Sequence, residues 1–394
     1  MKVIPLAVHS PRAIEEALRS RGWDAGLAGD AAGGTHPAAF LVSGLEPPTV
    51  EALLRHAATL GLDIFTGDDW AILSGGASRL GALARPWVVP APLADLATAI
   101  GTAAIPAPAR SWRTARGDVS LEEPVLVGIL NVTPDSFSDG GEHMGVGGAV
   151  QHADRLLEGG ARIIDIGGES TRPGRTAAVA VEDELARTIP VVSAVVRRHP
   201  DLLVSIDTVK AEVARAALDA GAAIVNDVSA FRFDPAMADT VGAAGAGAIL
   251  MHSRGGILEI ASYRHASYPD GVVSAVLGEL AGAVRNAIER GIPRESIVVD
   301  PGLGFSKTPP QNLQLLDQLG VLLSLGHPLM VGASRKRFLA ARPDDRPADR
   351  DAASAAACVL AWERGARLFR MHDTAGARAA LSLAAAVDRS WELR

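Results

Sequence analysis

The side chains best suited to chemistry in this 394-residue chain are carboxylates, amides and cations that each follow a short apolar run. Asn131 closes Val125–Leu130, with Thr133 and Asp135 just beyond. Asp165 lies within Arg162–Ile166 and is followed by Gly167-Gly168-Glu169-Ser170-Thr171-Arg172-Pro173-Gly174. Asp207 follows Leu203–Ile206, Asn226-Asp227 follow Ala223–Val225, His252 follows Ala248–Met251, and Asp300 follows Ile297–Val299. Ser334-Arg335-Lys336 come after Leu329–Val331, and Arg370 with His372 closes Leu368–Arg370. A carboxylate accepts two parallel N–H bonds, so Asp207 or Asp300 suits an amidine-like ring edge, with Lys336 on the ring's acceptors. The Arg370 fork, with His372 beside it, matches phosphate geometry. Asn131 could supply one oxygen to a Mg2+ that bridges a diphosphate and keeps most of its waters.

Each group also has a plainer reading. An Asp after a strand commonly caps the next helix, and for Asp207 and Asn226 taken singly both readings stand. Asp165 is either a ligand or a structural partner inside the sheet. His252, and His372 taken alone, suit core histidines with satisfied nitrogens. Arg335 and Lys336 suit solvated helix starts, although basic charge there opposes the helix dipole, which favours a ligand role. The glycines of Gly140-Gly141 and Gly145–Gly148 read as a mobile loop, and no Walker-type phosphate loop occurs.

These groups need elements to bring them together. From Pro124 onward, apolar runs of strand length recur with helix-period segments between them. That pattern predicts a parallel (β/α)8 barrel over residues 124–394, with an open doubly wound sheet as the alternative. In such a barrel all strand C-termini share one face, so the groups above converge on a small-molecule pocket. Residues 1–103 read as a small α+β domain. Its strands are expected at Val3–Val8, Phe40–Val42, Asp63–Phe65 and Ala71–Leu73, and its helices at Pro11–Arg21, Pro48–Leu60, Ser78–Ala84 and Pro92–Ile100. The prolines of Ala104–Ser111 place a linker over residues 104–123.

Composition narrows the function classes. A net charge of −7 argues against a general nucleic-acid binder, so any anion site is local. The single cysteine, Cys358, leaves no intramolecular disulfide and reads as a core residue. No uncharged apolar stretch is long enough to span a bilayer, and no signal-like run follows Met1-Lys2-Val3-Ile4-Pro5, so a cytoplasmic protein without a membrane partner is expected.

Taken together the motifs are specific. Gly128-Ile129-Leu130-Asn131-Val132-Thr133-Pro134-Asp135-Ser136-Phe137-Ser138-Asp139-Gly140-Gly141 resembles the first signature of the dihydropteroate synthases, and Asp165–Gly174 the second. Ser205-Ile206-Asp207-Thr208, Asn226-Asp227, Met251-His252, the run from Asp300 to Lys307, Gly332–Lys336 and Arg370–Asp373 follow in family order. The resemblance covers residues 124 to about 390. It implies that Asp207, Asn226, Asp300 and Lys336 hold a pterin, with Phe305 and Gly332 lining its slot. It assigns Asn131, Arg370 and His372 to a diphosphate and its Mg2+, with Thr171 reaching a phosphate oxygen. Phe137, Thr171, Arg172, Pro173 and Ser334 would frame the 4-aminobenzoate pocket, where sulfonamides compete. A homodimer paired through late barrel helices is implied as well.

Two departures stand out. Ser253-Arg254-Gly255-Gly256 follows Met251-His252 where relatives often carry a second Met, and residues 1–103 show none of the motifs of fused folate enzymes. A pterin-dependent methyltransferase and a catalytically silent pterin-binding paralogue are the competing readings. The first has no need of the Ser170–Gly174 loop, Ser334-Arg335-Lys336 or the Arg370/His372 pair; the second differs only in turnover.

Overall fold

The computed structural model describes residues 37–67, 69–83, 85, 89–103, 109–133, 145–170, 177–269, 271–342 and 344–389. The strand expected at Val3–Val8 and the helix at Pro11–Arg21 lie outside them. The chain divides into two compact units, Met1–Ala104 with Arg389–Arg394, and Ile105–Asp388.

The first unit is an antiparallel sheet with helices. Strands β1 (Pro37–Ser43), β2 (Asp63–Thr66) and β3 (Trp70–Gly76) lie in the order β1-β3-β2. Helix α1 (Pro47–Leu60) opens on its prolines, where the missing N–H costs nothing, and ends at Gly61 with φ 64°. Leu53 and Ala57 of this helix meet Leu73, Leu80 and Leu83 in the core, with α2 (Ala77–Leu83) and α3 (Ala94–Ala103) closing it.

The second unit is the barrel. Its strands are β6 (Val125–Asn131), β7 (Ile163–Gly167), β8 (Leu203–Asp207), β9 (Ile224–Asp227), β10 (Gly247–Met251), β11 (Ile297–Asp300), β12 (Met330–Val331) and β13 (Leu368–Met371). All pair in parallel in the order β11-β10-β9-β8-β7-β6-β13-β12, and a parallel bridge from Val299 to Leu329 closes the ring. A helix follows every strand: α4 (Val146–Glu158), α5 (Val181–Arg198), α6 (Ala211–Asp219), α7 (Met237–Ala243), α8 (Val272–Glu289), α9 (Pro309–Asp317), α10 (Asp351–Glu363) and α11 (Thr374–Arg389). The strands are apolar on both faces because each packs inward on the barrel and outward on helices; Ala149, Ala153 and Leu156 of α4 supply one such contact. Among the described residues no helix is long and apolar enough to cross a membrane.

Part of the expected linker is ordered differently. Residues Ser111–Thr114 (β4) and Gly117–Ser120 (β5) form a hairpin. The prolines upstream drew attention from the alternation Trp112, Thr114, Val119, which is a half-buried strand signal. Trp112 is fully buried against Val125, Ile163, Ile224, Val298 and Leu368, and its indole N–H donates to the Ser296 carbonyl at 2.9 Å. The hairpin thus closes the barrel at the strand N-termini and leaves the opposite mouth for ligands.

Candidate active site

Strand register sets the site. Asn131 pairs with Gly167, Gly167 with Asp207, and Asp207 with Asn226, so side chains distant in sequence share one level of the barrel. Asp300 sits beside Met251 in the same way. A cavity of about 390 Å³ opens at this mouth. Asn131, Asp207, Asn226, Asp300, Phe305, Gly332, Ser334, Lys336, Arg370 and His372 all line it. Phe137, Thr171, Arg172 and Pro173 lie outside the described residues.

The floor is a network of charge. Asp165, fully buried in β7, accepts from Arg370 Nε at 2.6 Å and from Asn226 Nδ2 at 3.0 Å through one oxygen. Arg370 also donates to Asp207 Oδ2 at 2.6 Å. Removal from water pushes the Asp207 carboxyl up to about 7, against the pull of Arg370. Burial works to lower Arg370, yet Asp165 and Asp207 hold it above its ordinary value. Arg370 therefore bridges two carboxylates. These partners lie on other strands, so the spacing that suits the Arg370 fork to a phosphate does not show them.

One wall is the loop after β11. Asp300 is buried, accepts from the Gly302 N–H at 2.7 Å, and burial pushes it up to about 6. Lys336 lies across Gly304, where an added Cβ would stand 2.8 Å from Lys336 Cδ, and its Nζ sits 3.5 Å from the centre of the Phe305 ring. Burial, with Arg370 adding repulsion, brings the Lys336 ammonium down to about 7. A carboxylate, an ammonium and an apolar ring lining one cavity suit a flat heterocycle with both donors and acceptors on its edge.

The neighbouring wall joins β12 to β13. Ser334 Oγ lies 2.9 Å from His372 Nδ1 and accepts from the His372 backbone N–H at 3.1 Å. Arg335 takes a left-handed φ of 59° and is fixed by Asp351 at 2.7 and 2.8 Å, which aims the next residue, Lys336, into the cavity. Arg335 is thus ion-paired rather than solvated.

Two groups were under-read in the sequence. Asp165 suits two roles in the sequence, and as a charge inside an apolar strand it must find partners. Lys307 is fully buried, which its place at the end of the Asp300–Lys307 run does not signal.

A polar cavity at the C-terminal mouth of a closed parallel barrel, with paired carboxylates and cations and an aromatic wall, defines a (β/α)8 enzyme for a small polar ring substrate. Residues 127–372 match the family described as pterin binding enzymes. The dihydropteroate synthase of Mycobacterium leprae is 44% identical over 279 residues, covering 68% of this chain and 95% of the relative. The Xanthomonas albilineans dihydropteroate synthase with 4-aminobenzoic acid superposes with a TM-score of 0.65 at 44% identity, covering 71% of this chain and 98% of the other. The same enzyme in complex with 7,8-dihydropteroate gives a TM-score of 0.63 at 40% identity, with 71% and 98% covered. The chain belongs to the dihydropteroate synthase family of pterin-binding enzymes.

Proposed function

We propose that the chain condenses 6-hydroxymethyl-7,8-dihydropterin diphosphate with 4-aminobenzoate, giving 7,8-dihydropteroate and pyrophosphate. The observation that carries this is the cavity in which Asp207, Asn226 and Asp300 face Lys336 and Phe305. The carboxylates and Asn226 would accept from and donate to the pterin's N–H-rich edge, and Lys336 would donate to its ring acceptors. Asp165 would hold Asn226 and Arg370 in place beneath the ring. The C–O bond to the diphosphate breaks with its electrons leaving on oxygen. The amine lone pair then forms the C–N bond and one N–H proton is released. Arg370 would favour the departing anion by charge, and His372, oriented by Ser334, would donate to it. No protein nucleophile is required. Thr171 would reach a phosphate oxygen, and Phe137, Thr171, Arg172, Pro173 and Ser334 would frame the amine.

The donor set fits Mg2+ in a limited way: Asn131 offers one amide oxygen at the cavity wall, and the substrate diphosphate and water would complete the shell. When bound, the ion would neutralise charge on the leaving diphosphate. The single buried thiol, Cys358, supports a cytoplasmic location. Exposed Leu360 on α10, with Leu383 and Val387 on α11, supports a homodimer formed through these helices.

The test is pyrophosphate release from purified protein given the pterin diphosphate and Mg2+, with and without 4-aminobenzoate. Amine-dependent release with formation of 7,8-dihydropteroate is expected. Folded protein that binds the pterin without amine-dependent release would refute the proposal and favour a silent paralogue.

A further inference from the structure

Below the pterin wall lies a lysine that does not reach the cavity. Lys307 is fully buried, and its Nζ has three partners: His252 Nδ1 at 3.0 Å, the Gly302 carbonyl at 3.1 Å and the Phe305 carbonyl at 3.0 Å. Burial brings the Lys307 amine down to about 7, and the three acceptors around Nζ match the three donors of its ammonium form. His252 can accept at Nδ1 only if its proton sits on Nε2, which faces Glu279 Oε2 at 3.0 Å. Burial and the Lys307 charge bring the His252 imidazole down to about 4, which keeps that acceptor available at neutral pH. Glu279 is in turn bound to Arg254.

The two carbonyls that Lys307 grips bracket a loop with an unusual backbone. Gly302, Gly304 and Ser306 have φ values of 67°, 82° and 50°. A Cβ on Gly302 would stand 2.0 Å from the His252 carbonyl oxygen, so the loop lies directly on the end of β10. This backbone presents Phe305 to the cavity and gives Lys336 its resting surface at Gly304. Lys307 grips the loop from beneath and Lys336 lies on it from above.

We infer that Lys307, held by His252 and Glu279, is a positioning residue for pterin recognition: it acts through the Gly302–Phe305 loop to place Phe305 and Lys336 and leaves the amine side of the site unaffected. The inference rests on the functional reading proposed above. It differs from a purely structural role in its selectivity. Ser334 spends its hydroxyl on His372, accepting from the backbone N–H and meeting the ring Nδ1, and not on the Gly302–Phe305 loop.

The test uses the full chain and three substitutions: Lys307→Met, which keeps the aliphatic length and removes the donors, His252→Leu, and His252→Asn, whose amide oxygen can stand in for Nδ1. Binding of the pterin diphosphate is measured by calorimetry, KM for 4-aminobenzoate by pyrophosphate release, and folding by circular dichroism. Misplacement by about 1 Å can cost up to about 100-fold, so Lys307→Met and His252→Leu should weaken pterin binding by about 10- to 100-fold. The amine KM should stay within about twofold, and His252→Asn should bind the pterin within about threefold of wild type. Should Lys307→Met fail to fold, the His252 pair decides alone. Equal pterin binding by His252→Leu and His252→Asn, or equal losses for pterin and amine, would overturn the inference while leaving the synthase reading intact. Wild-type protein that binds no pterin would overturn both.

Discussion

Asp165→Asn tests the floor of the site most directly. The substitution keeps shape and removes charge from a fully buried group that accepts at 2.6 Å from Arg370 and 3.0 Å from Asn226. A hydrogen bond to a charged group contributes about 1.5–3 kcal/mol and a neutral one about 0.5–1.5 kcal/mol, so neutralising the acceptor costs about 1 kcal/mol per bond. The new amide nitrogen takes the place of Oδ1, which has no partner among the described residues, and leaves its N–H donors buried at about 1 kcal/mol more. Asp207 still binds Arg370 and limits the damage. The total of about 3 kcal/mol should appear as lost folding stability, and kcat/KM for the pterin should fall by about 10- to 100-fold because Arg370 and Asn226 lose the anchor that places them. A second readout has a defined sign. The Asp165 charge is among the causes that raise Asp207, so its removal should lower the Asp207 pKa from about 7 and move the acid limb of pterin binding to lower pH. The assay is pyrophosphate release across pH 5–9 alongside thermal unfolding. A folded variant with kcat/KM within threefold of wild type, or an acid limb displaced to higher pH, would refute the reasoning.

Three further outcomes are expected. In the wild type, kcat/KM for the pterin should rise as Asp300 and Asp207 ionise at about 6 and about 7 and fall as Lys336 loses its proton above about 7, giving a narrow optimum near neutrality; a plateau from pH 5 to 9 would contradict it. Asp227 is raised by burial to about 6, so its contribution to folding is full below about 4 and is lost as pH rises through 6; Asp227→Asn should flatten the dependence of Tm on pH over that window. Ser334→Ala removes the hydroxyl partner of the His372 ring and should lower kcat by about 3- to 30-fold, about 1–2 kcal/mol, with binding of the pterin lacking its diphosphate unchanged by calorimetry.

Much of the barrel was legible because its signals are local. Each strand is a short apolar run, and Asn131, Asp207, Asn226 and Asp300 stand at strand ends that the parallel register brings level. What escaped depends on partners far away in the chain. Arg370 finds Asp165 and Asp207 across separations of 205 and 163 residues, and no spacing rule states that two carboxylates will claim its fork. Lys307 escaped for the opposite reason. A lysine just before the start of a helix reads as solvated, and only the loop folded over it reveals that it is enclosed. The hairpin at Ser111–Ser120 was obscured by neighbouring prolines, whose effect ends before its first strand.

That hairpin also bears on how the chain can be divided. Arg116 reaches the carbonyls of Pro200 and Leu202, Arg113 reaches Glu295 at 2.6 Å, and Trp112 reaches Ser296, so ten residues stitch together the undersides of strands far apart in order. Losing a buried Trp costs about 3–5 kcal/mol, a large part of the stability of a whole domain. A protease cut or a gene fusion placed ahead of residue 109 would spare this seal, whereas one placed after Leu121 would detach it. The barrel unit therefore begins upstream of its first strand by the length of the hairpin, and any shorter version of it loses its lower seal.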